Sequence, residues 1–378
     1  MSAPRSRRSG PQLGRVVAIC VSNGRNRSPS RLLPSVLLAA AVVACGTARG
    51  SGFDDDAGAP GGEGGGSGGP GAFLGQDSGR AADGETSTVS ATTVYANTDD
   101  SLYSMDAATK KVTLIGKFTG MGGGTDDLTV TDCAVDAGGE VWVNTPTVVY
   151  KTTLPAGGTG TVKLTRVATI AAKAKQRFYA LAFAPAGVLG AGETLVGGDG
   201  NGELWSIDTT TGATIDLGGF GPDKTRIFAL SGDIVFYTDA GGKPTGLATI
   251  RSCMPGGSSC TATNDYLAGI DMTALATAFT SGTPAPSLLA GIYGGSSTSK
   301  GSGVGYGDLF GLGVWQGSVF VFQRGSGGGK SPALLGVDTK TGAGTVIDSS
   351  FGFNNGWSGA GVTTKVTVNV PPPPPAPH

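Results

Sequence analysis

Leu102-Tyr103-Ser104-Met105-Asp106-Ala107-Ala108-Thr109 recurs as Leu204-Trp205-Ser206-Ile207-Asp208-Thr209-Thr210-Thr211-Gly212 and again as Leu334-Leu335-Gly336-Val337-Asp338-Thr339-Lys340-Thr341-Gly342. Weaker copies are Val149-Tyr150-Lys151-Thr152-Thr153-Leu154 and Tyr266-Leu267-Ala268-Gly269-Ile270-Asp271. In a strand, alternate residues of such a run pack inward. The closing Asp can accept backbone amides two or so residues on, and the Gly is free to take positive φ. Each copy therefore predicts a strand running into a hairpin turn.

Two other kinds of run accompany the copies. One comprises Asp127–Val130, Tyr179–Pro185, Ile227–Leu230 and Leu309–Val314; the next comprises Glu140–Val143, Glu193–Val196, Asp233–Tyr237 and Ser318–Phe322. From about residue 91 to residue 370 these β-branched and aromatic runs are separated by Gly, Asp, Asn and Pro, with hardly a segment of helical period. The expected class is all-β. The order strand, strand, copy, strand resembles a blade of the β-propeller families, at periods of roughly 45 to 65 residues. That resemblance implies a propeller of about five four-stranded blades, or six if residues 282–305 form another. The first copy, from Val94, lacks an inner strand, and Trp357-Ser358-Gly359-Ala360-Gly361-Val362-Thr363 has no blade of its own. The last strand is expected to complete the first sheet and close the ring, which hides edges that would otherwise invite aggregation. A β-sandwich is the competing arrangement of the same strands.

The N-terminal region reads as an address. Residues 32–44 are apolar except for Ser35 and too few to span a bilayer, which takes about 20 residues. Before them stand Arg5, Arg7, Arg8, Arg15, Arg25, Arg27 and Arg31 with no acidic residue. Arg7-Arg8 lacks the apolar residues that would follow in a twin-arginine signal. Val42-Val43-Ala44-Cys45 resembles the cleavage site of bacterial lipoproteins. The resemblance implies a signal peptide over 1–44, acylation of Cys45 and anchoring by more than one chain, which holds stably where a single chain does not. By resemblance to enterobacterial lipoprotein sorting, Gly46 and Thr47 in place of an Asp after the cysteine imply transfer to the outer membrane. Residues 45–90, with Gly61-Gly62-Glu63-Gly64-Gly65-Gly66, hold too little apolar surface to offset ordering entropy and are expected to be a disordered tether. Asp54-Asp55-Asp56 within it reads as a solvated charge run. Residues 371–378 form a proline-rich tail, a stiff spacer or a ligand for an aromatic groove.

Charge and residue types narrow the function. The chain has 27 basic and 28 acidic residues, and seven of the basic ones precede Cys45, so the mature protein is acidic. It lacks the basic footprint of a nucleic-acid binder. The single histidine is His378 in the tail, which excludes imidazole-based triads and zinc sites from the folded region. Carboxylate and amide chemistry is left, as in the calcium-dependent lactonases built on propellers. Asp199-Gly200-Asn201-Gly202-Glu203 has the alternating oxygens of a calcium loop without the rest of that signature, and reads more simply as a hairpin turn. Asp126, Asp127, Asn354 and Asn355 fall just before expected inner strands, as channel-mouth binding residues or turn formers. Cys253 and Cys260 flank a short loop and predict a disulfide in an oxidising compartment. Cys133 reads as a small buried hydrophobe. Trp142, Trp205, Trp315 and Trp357 either pack between blades or stack at one mouth, and their strand positions favour packing. Propellers host enzymes and scaffolds alike. The sequence thus favours a non-enzymatic scaffold, held to the membrane by lipid and binding a protein or glycan, over a calcium-assisted hydrolase or lyase.

Overall fold

A computed structural model describes residues 93–375 apart from 123, 125–126, 174, 224–225, 255–259, 261–262, 296–301, 326–330 and 354–355. The signal, Cys45, the tether and His378 lie outside the described residues. Strands β1 (Thr93–Asn97), β2 (Ser101–Asp106) and β3 (Val112–Thr119) begin blade 1. Blade 2 is β4 (Asp132–Val135), β5 (Val141–Asn144), β6 (Val148–Thr153) and β7 (Gly160–Thr169). Blade 3 is β8 (Phe178–Ala184), β9 (Thr194–Asp199), β10 (Glu203–Ile207) and β11 (Thr214–Gly219). Blade 4 holds a short β12 (Pro222–Asp223), then β13 (Arg226–Asp239), β14 (Pro244–Cys253), β15 (Tyr266–Ile270), helix α1 (Met272–Ser281) and β16 (Leu289–Ile292). Blade 5 is β17 (Leu309–Trp315), β18 (Ser318–Gln323), β19 (Ala333–Val337) and β20 (Gly344–Asp348), followed by β21 (Gly359–Gly361) and β22 (Thr367–Val368).

Strand β21 pairs antiparallel with β1, setting Tyr95 opposite Gly361 and Asn97 opposite Gly359, and so supplies the inner strand of blade 1. The inner strands close a ring, β4 packing on β8, β8 on β13, β13 on β17, β17 on β21 and β21 on β4. This is a five-bladed propeller and not a sandwich. The described residues of 282–305 form no sixth blade, because β16 lies among them as the outer strand of blade 4. Blades 1 and 2 also merge at their rims, where β3 runs parallel to β7 with Gly116 opposite Gly160.

The period of two serves two neighbours at once. Val94 and Ala96 pack toward blade 5, whereas Tyr95 between them packs toward blade 2. Likewise Trp205 and Ile207 meet blade 2, while Leu204 meets blade 4. Each sheet is buried on both faces, so the core is a set of layers between blades. Where the ring closes, small residues are required: a Cβ on Gly359 would sit 1.8 Å from Asp132 Oδ1, and one on Gly361 2.5 Å from the Cys133 carbonyl oxygen. Trp357 is fully buried at this seam, its ring 4.7–5.2 Å from those of Tyr103, Phe322, Phe351 and Phe353.

The repeated turn forms as its chemistry dictates. Asp208 Oδ1 accepts from the Thr210 and Thr211 amides at 2.9 and 2.7 Å and from the Thr211 hydroxyl at 2.9 Å. Asp106 and Asp338 make the same kind of bonds to Thr109, Lys340 and Thr341. In blade 4 the equivalent Asp271 accepts amides from Thr273 and Ala274, but there they open α1, which ends at Gly282 with φ 66°.

Three expectations need correction. Asp127–Val130 is not a strand: Leu128 is 70% exposed, and the inner strand is Asp132–Val135. Ile227–Leu230 and Asp233–Tyr237 are not two strands but parts of β13, whose register shifts between Leu230 and Ile234. The described part of the proline tail, residues 371–375, is not a free spacer. After β22 pairs parallel with the end of β13, Val366 and Val370 are buried with residues of blades 4 and 5. Pro373 and Pro374 then press on Gly269 and Gly291, where a Cβ would fall 2.7 Å from Pro373 Cγ and 1.9 Å from the Pro374 oxygen.

Candidate functional site

The axis of the wheel is occupied by two carboxyl groups. Asp132 heads β4, and Asp233 sits after the register shift of β13; both are fully buried and hydrogen-bonded to each other. Asp132 Oδ1 accepts from the Cys133 amide at 2.7 Å and Oδ2 from the Leu181 amide at 2.5 Å. Asp233 Oδ1 accepts from Ile234 at 2.6 Å, and Oδ2 accepts from Leu312 at 2.6 Å and Ala360 at 3.3 Å. One inner strand of every blade thus donates an amide to the pair. Burial raises both carboxyl groups, and the neighbouring Asp233 raises Asp132 further. A donor set made only of N–H groups favours negative charge and a shared proton, not a cation, which needs oxygen ligands. Among the described residues no group of three or more His, Cys, Asp and Glu side chains is disposed to hold a metal.

At the end of the wheel where the inner strands begin lies a depression of about 350 Å³, lined by Tyr179, Leu230, Ser231, Arg251 and Phe310 from blades 3, 4 and 5. Tyr179 is 40% exposed. Arg251 is held by its Nη2, which donates to the Ser231 carbonyl at 2.8 Å, and its Nε stands 3.7 Å from Asp265 Oδ1. The other oxygen of Asp265 accepts from the Leu309 amide at 3.2 Å. Burial pushes the Asp265 carboxyl up to about 6, against the pull of Arg251. Beside them Arg324 Nη2 pairs with both oxygens of Asp99 at 3.1 Å, its Nη1 donates to Ser358 at 3.0 Å, and its guanidinium lies 5.5 Å from the Phe310 ring centre. At the opposite end a groove of about 620 Å³ follows α1, and among the described residues that line it Lys243 alone is ionisable. Apolar surface with convergent polar groups marks the mouth, and not the groove, as the better ligand site.

Of the residues singled out from sequence, Asp126, Asn354 and Asn355 lie outside the described residues. Asp127 is buried and accepts from the Thr145 and Thr147 hydroxyls at 2.6 and 2.8 Å, tying its loop to the β5–β6 turn. Asp199 makes a hairpin turn, its Oδ1 accepting from the Asn201 and Glu203 amides at 2.9 and 3.1 Å. Cys253 and Cys260 form a disulfide, and Cys133 is buried. Trp142, Trp205 and Trp357 are buried and Trp315 partly so, with lysines over three of the rings. Asp132 and Asp233 escaped sequence reasoning. Their one signal is an Asp heading an apolar run, Asp132-Cys133-Ala134-Val135 and Asp233-Ile234-Val235-Phe236.

No family model matches this chain. No curated protein matches it either. Among solved structures it is similar to a protein of unknown function from Bacteroides thetaiotaomicron, with 16% identity and a TM-score of 0.38 over 75% of this chain and 61% of that one. A protein of unknown function from Bacteroides caccae is 11% identical, with a TM-score of 0.34 over 71% of this chain and 97% of that one. The Dos1 propeller is 12% identical, with a TM-score of 0.31 over 65% of this chain and 54% of that one. This chain therefore spans less than two thirds of the length of the first of these structures.

Proposed function

We propose that this chain is an exported lipoprotein, anchored through Cys45, whose propeller binds a ligand at the mouth where the inner strands begin. The observation that carries the binding role is the convergence of Tyr179, Leu230, Arg251 and Phe310 from three blades over an axis filled by Asp132 and Asp233. An exposed aromatic ring beside a fixed guanidinium suits an epitope with one apolar face and hydrogen-bonding edges, such as a sugar ring. A tether of 45 residues after Cys45 would keep the site near the membrane and raise its effective concentration there.

Anchoring is tested by labelled palmitate in the producing bacterium. The wild type should take up label and sediment with membranes, and Cys45→Ala should do neither. Binding is tested by screening the full chain on a glycan array beside Tyr179→Ala. Signals that the variant retains would place the ligand elsewhere. The calcium-assisted hydrolase or lyase is the competing reading; a bound ion at 100 times its dissociation constant would add about 2.7 kcal/mol of stability, readable as a chelator-sensitive thermal shift.

A further inference from the structure

The geometry points to a conformational device at the axis: Asp132 and Asp233 share one proton and, through an amide from each of the five blades, clamp the ring, so that its closure weakens as the medium becomes alkaline. The clamp lies apart from the mouth and does not depend on any ligand there.

The amides leave the four carboxylate oxygens each with at least one donor, which stabilises a single negative charge well. A second charge in hydrogen-bonding contact, away from water, has nothing to balance it. Among the described residues no lysine or arginine pairs with either aspartate. The remaining proton therefore stays between the two groups, as in other carboxyl pairs at such range. The titratable neighbours do not relieve it. From β4 comes the Cys133 thiol, pushed well up by burial, and behind it on β1 the Tyr95 phenol, also raised. Strands β17 and β21 carry no titratable side chain, β14 brings Arg251, paired to Asp265, and β8 only Tyr179 at the mouth.

The sign follows from linkage. An unfolded chain releases both protons above about pH 4, whereas the native pair keeps one. The stabilisation is complete below that value and is lost as pH rises toward the native one, the unfolding constant growing tenfold per pH unit for one retained proton. The pair holds each blade to the axis, so the loss should be global and not a local fraying.

The experiment is urea unfolding of the full chain between pH 5 and 7, wild type beside Asp132→Asn, which keeps a hydrogen bond to Asp233 but cannot share a proton. Taking the difference cancels the other carboxyls that burial raises, Asp265 to about 6 and Glu203 above its ordinary value. The wild-type unfolding constant should climb tenfold per pH unit relative to the variant; a difference flatter than threefold per unit overturns the clamp. Should the variant fail to fold, infrared spectra of the native wild type decide. The carbonyl stretch of a protonated carboxylic acid, shifted by carbon-13 aspartate, should persist at neutral pH, and its absence refutes the shared proton.

Discussion

Replacing Trp357 with alanine should open the seam of the ring. The indole is fully buried between blades 5 and 1 and meets four aromatic rings, three of them from the closing segment and blade 5 and one from β2. A buried Trp→Ala change costs about 3–5 kcal/mol, and the edge-to-face contacts add roughly 0.5–1.5 kcal/mol per pair, without simple additivity. The site can collapse little, because β21 is fixed on one side by β1 and on the other by β17. We expect a loss near 4 kcal/mol. At roughly 2–4 °C per kcal/mol for a domain of this order of size, the melting temperature should fall by about 8–16 °C. Urea denaturation should show a lower midpoint at unchanged slope, the sign of lost stability and not of a changed native surface. Trp357→Phe should recover much of the loss, and Trp315→Ala, at a partly buried site, should cost about 1–2 kcal/mol. A loss at Trp357 below about 1.5 kcal/mol, or no greater than at Trp315, would refute the idea that this side chain packs the seam.

Gly212→Ala should cost about 2 kcal/mol or more in chemical denaturation, because the residue holds φ 75° and the added Cβ would lie 1.9 Å from the Thr169 oxygen. The corresponding Lys110 already tolerates φ 63° in the first copy, so Lys110→Gly should change stability by less than about 1 kcal/mol. A stop after Thr364 removes the buried Val366 and Val370 and should lower stability by roughly 3 kcal/mol or more, whereas a stop after Val370 should cost under about 1 kcal/mol; equal effects would argue against the packed tail. The turn aspartates act oppositely to the axial pair in pH. Backbone amides, first among the causes, hold Asp106, Asp208 and Asp338 below the usual carboxylate range, so their stabilisation exists above the unfolded value and is lost as pH falls through the native ones. Melting curves between about pH 5 and pH 2 should therefore fall less steeply for the triple Asp→Asn variant than for wild type.

Local chemistry was legible in the sequence. The period of two, the Asp that ends each copy and the glycine after it involve residues within a few positions of one another, so their outcome was set before any blade met another. Ring closure by the segment after Trp357 was legible for a related reason, since one sheet lacked a strand and one strand lacked a sheet. The helix α1 was missed, although Asp271 is the same amide-accepting residue as Asp208: whether such an Asp starts a turn or a helix depended on Leu275 and Ala278 finding the layer between blades 3 and 4. The clamp was beyond reach for a stronger reason. Asp132 and Asp233 look like any strand-edge aspartates, and only the meeting of strands 49 to 127 residues apart gives them three of their five amides, a common burial and each other. Sequence alone determined that these strands form and where most of them turn. The tertiary structure decided which of its many acids sits at the axis, because proximity across a closed ring is a property of all the blades and of no single one.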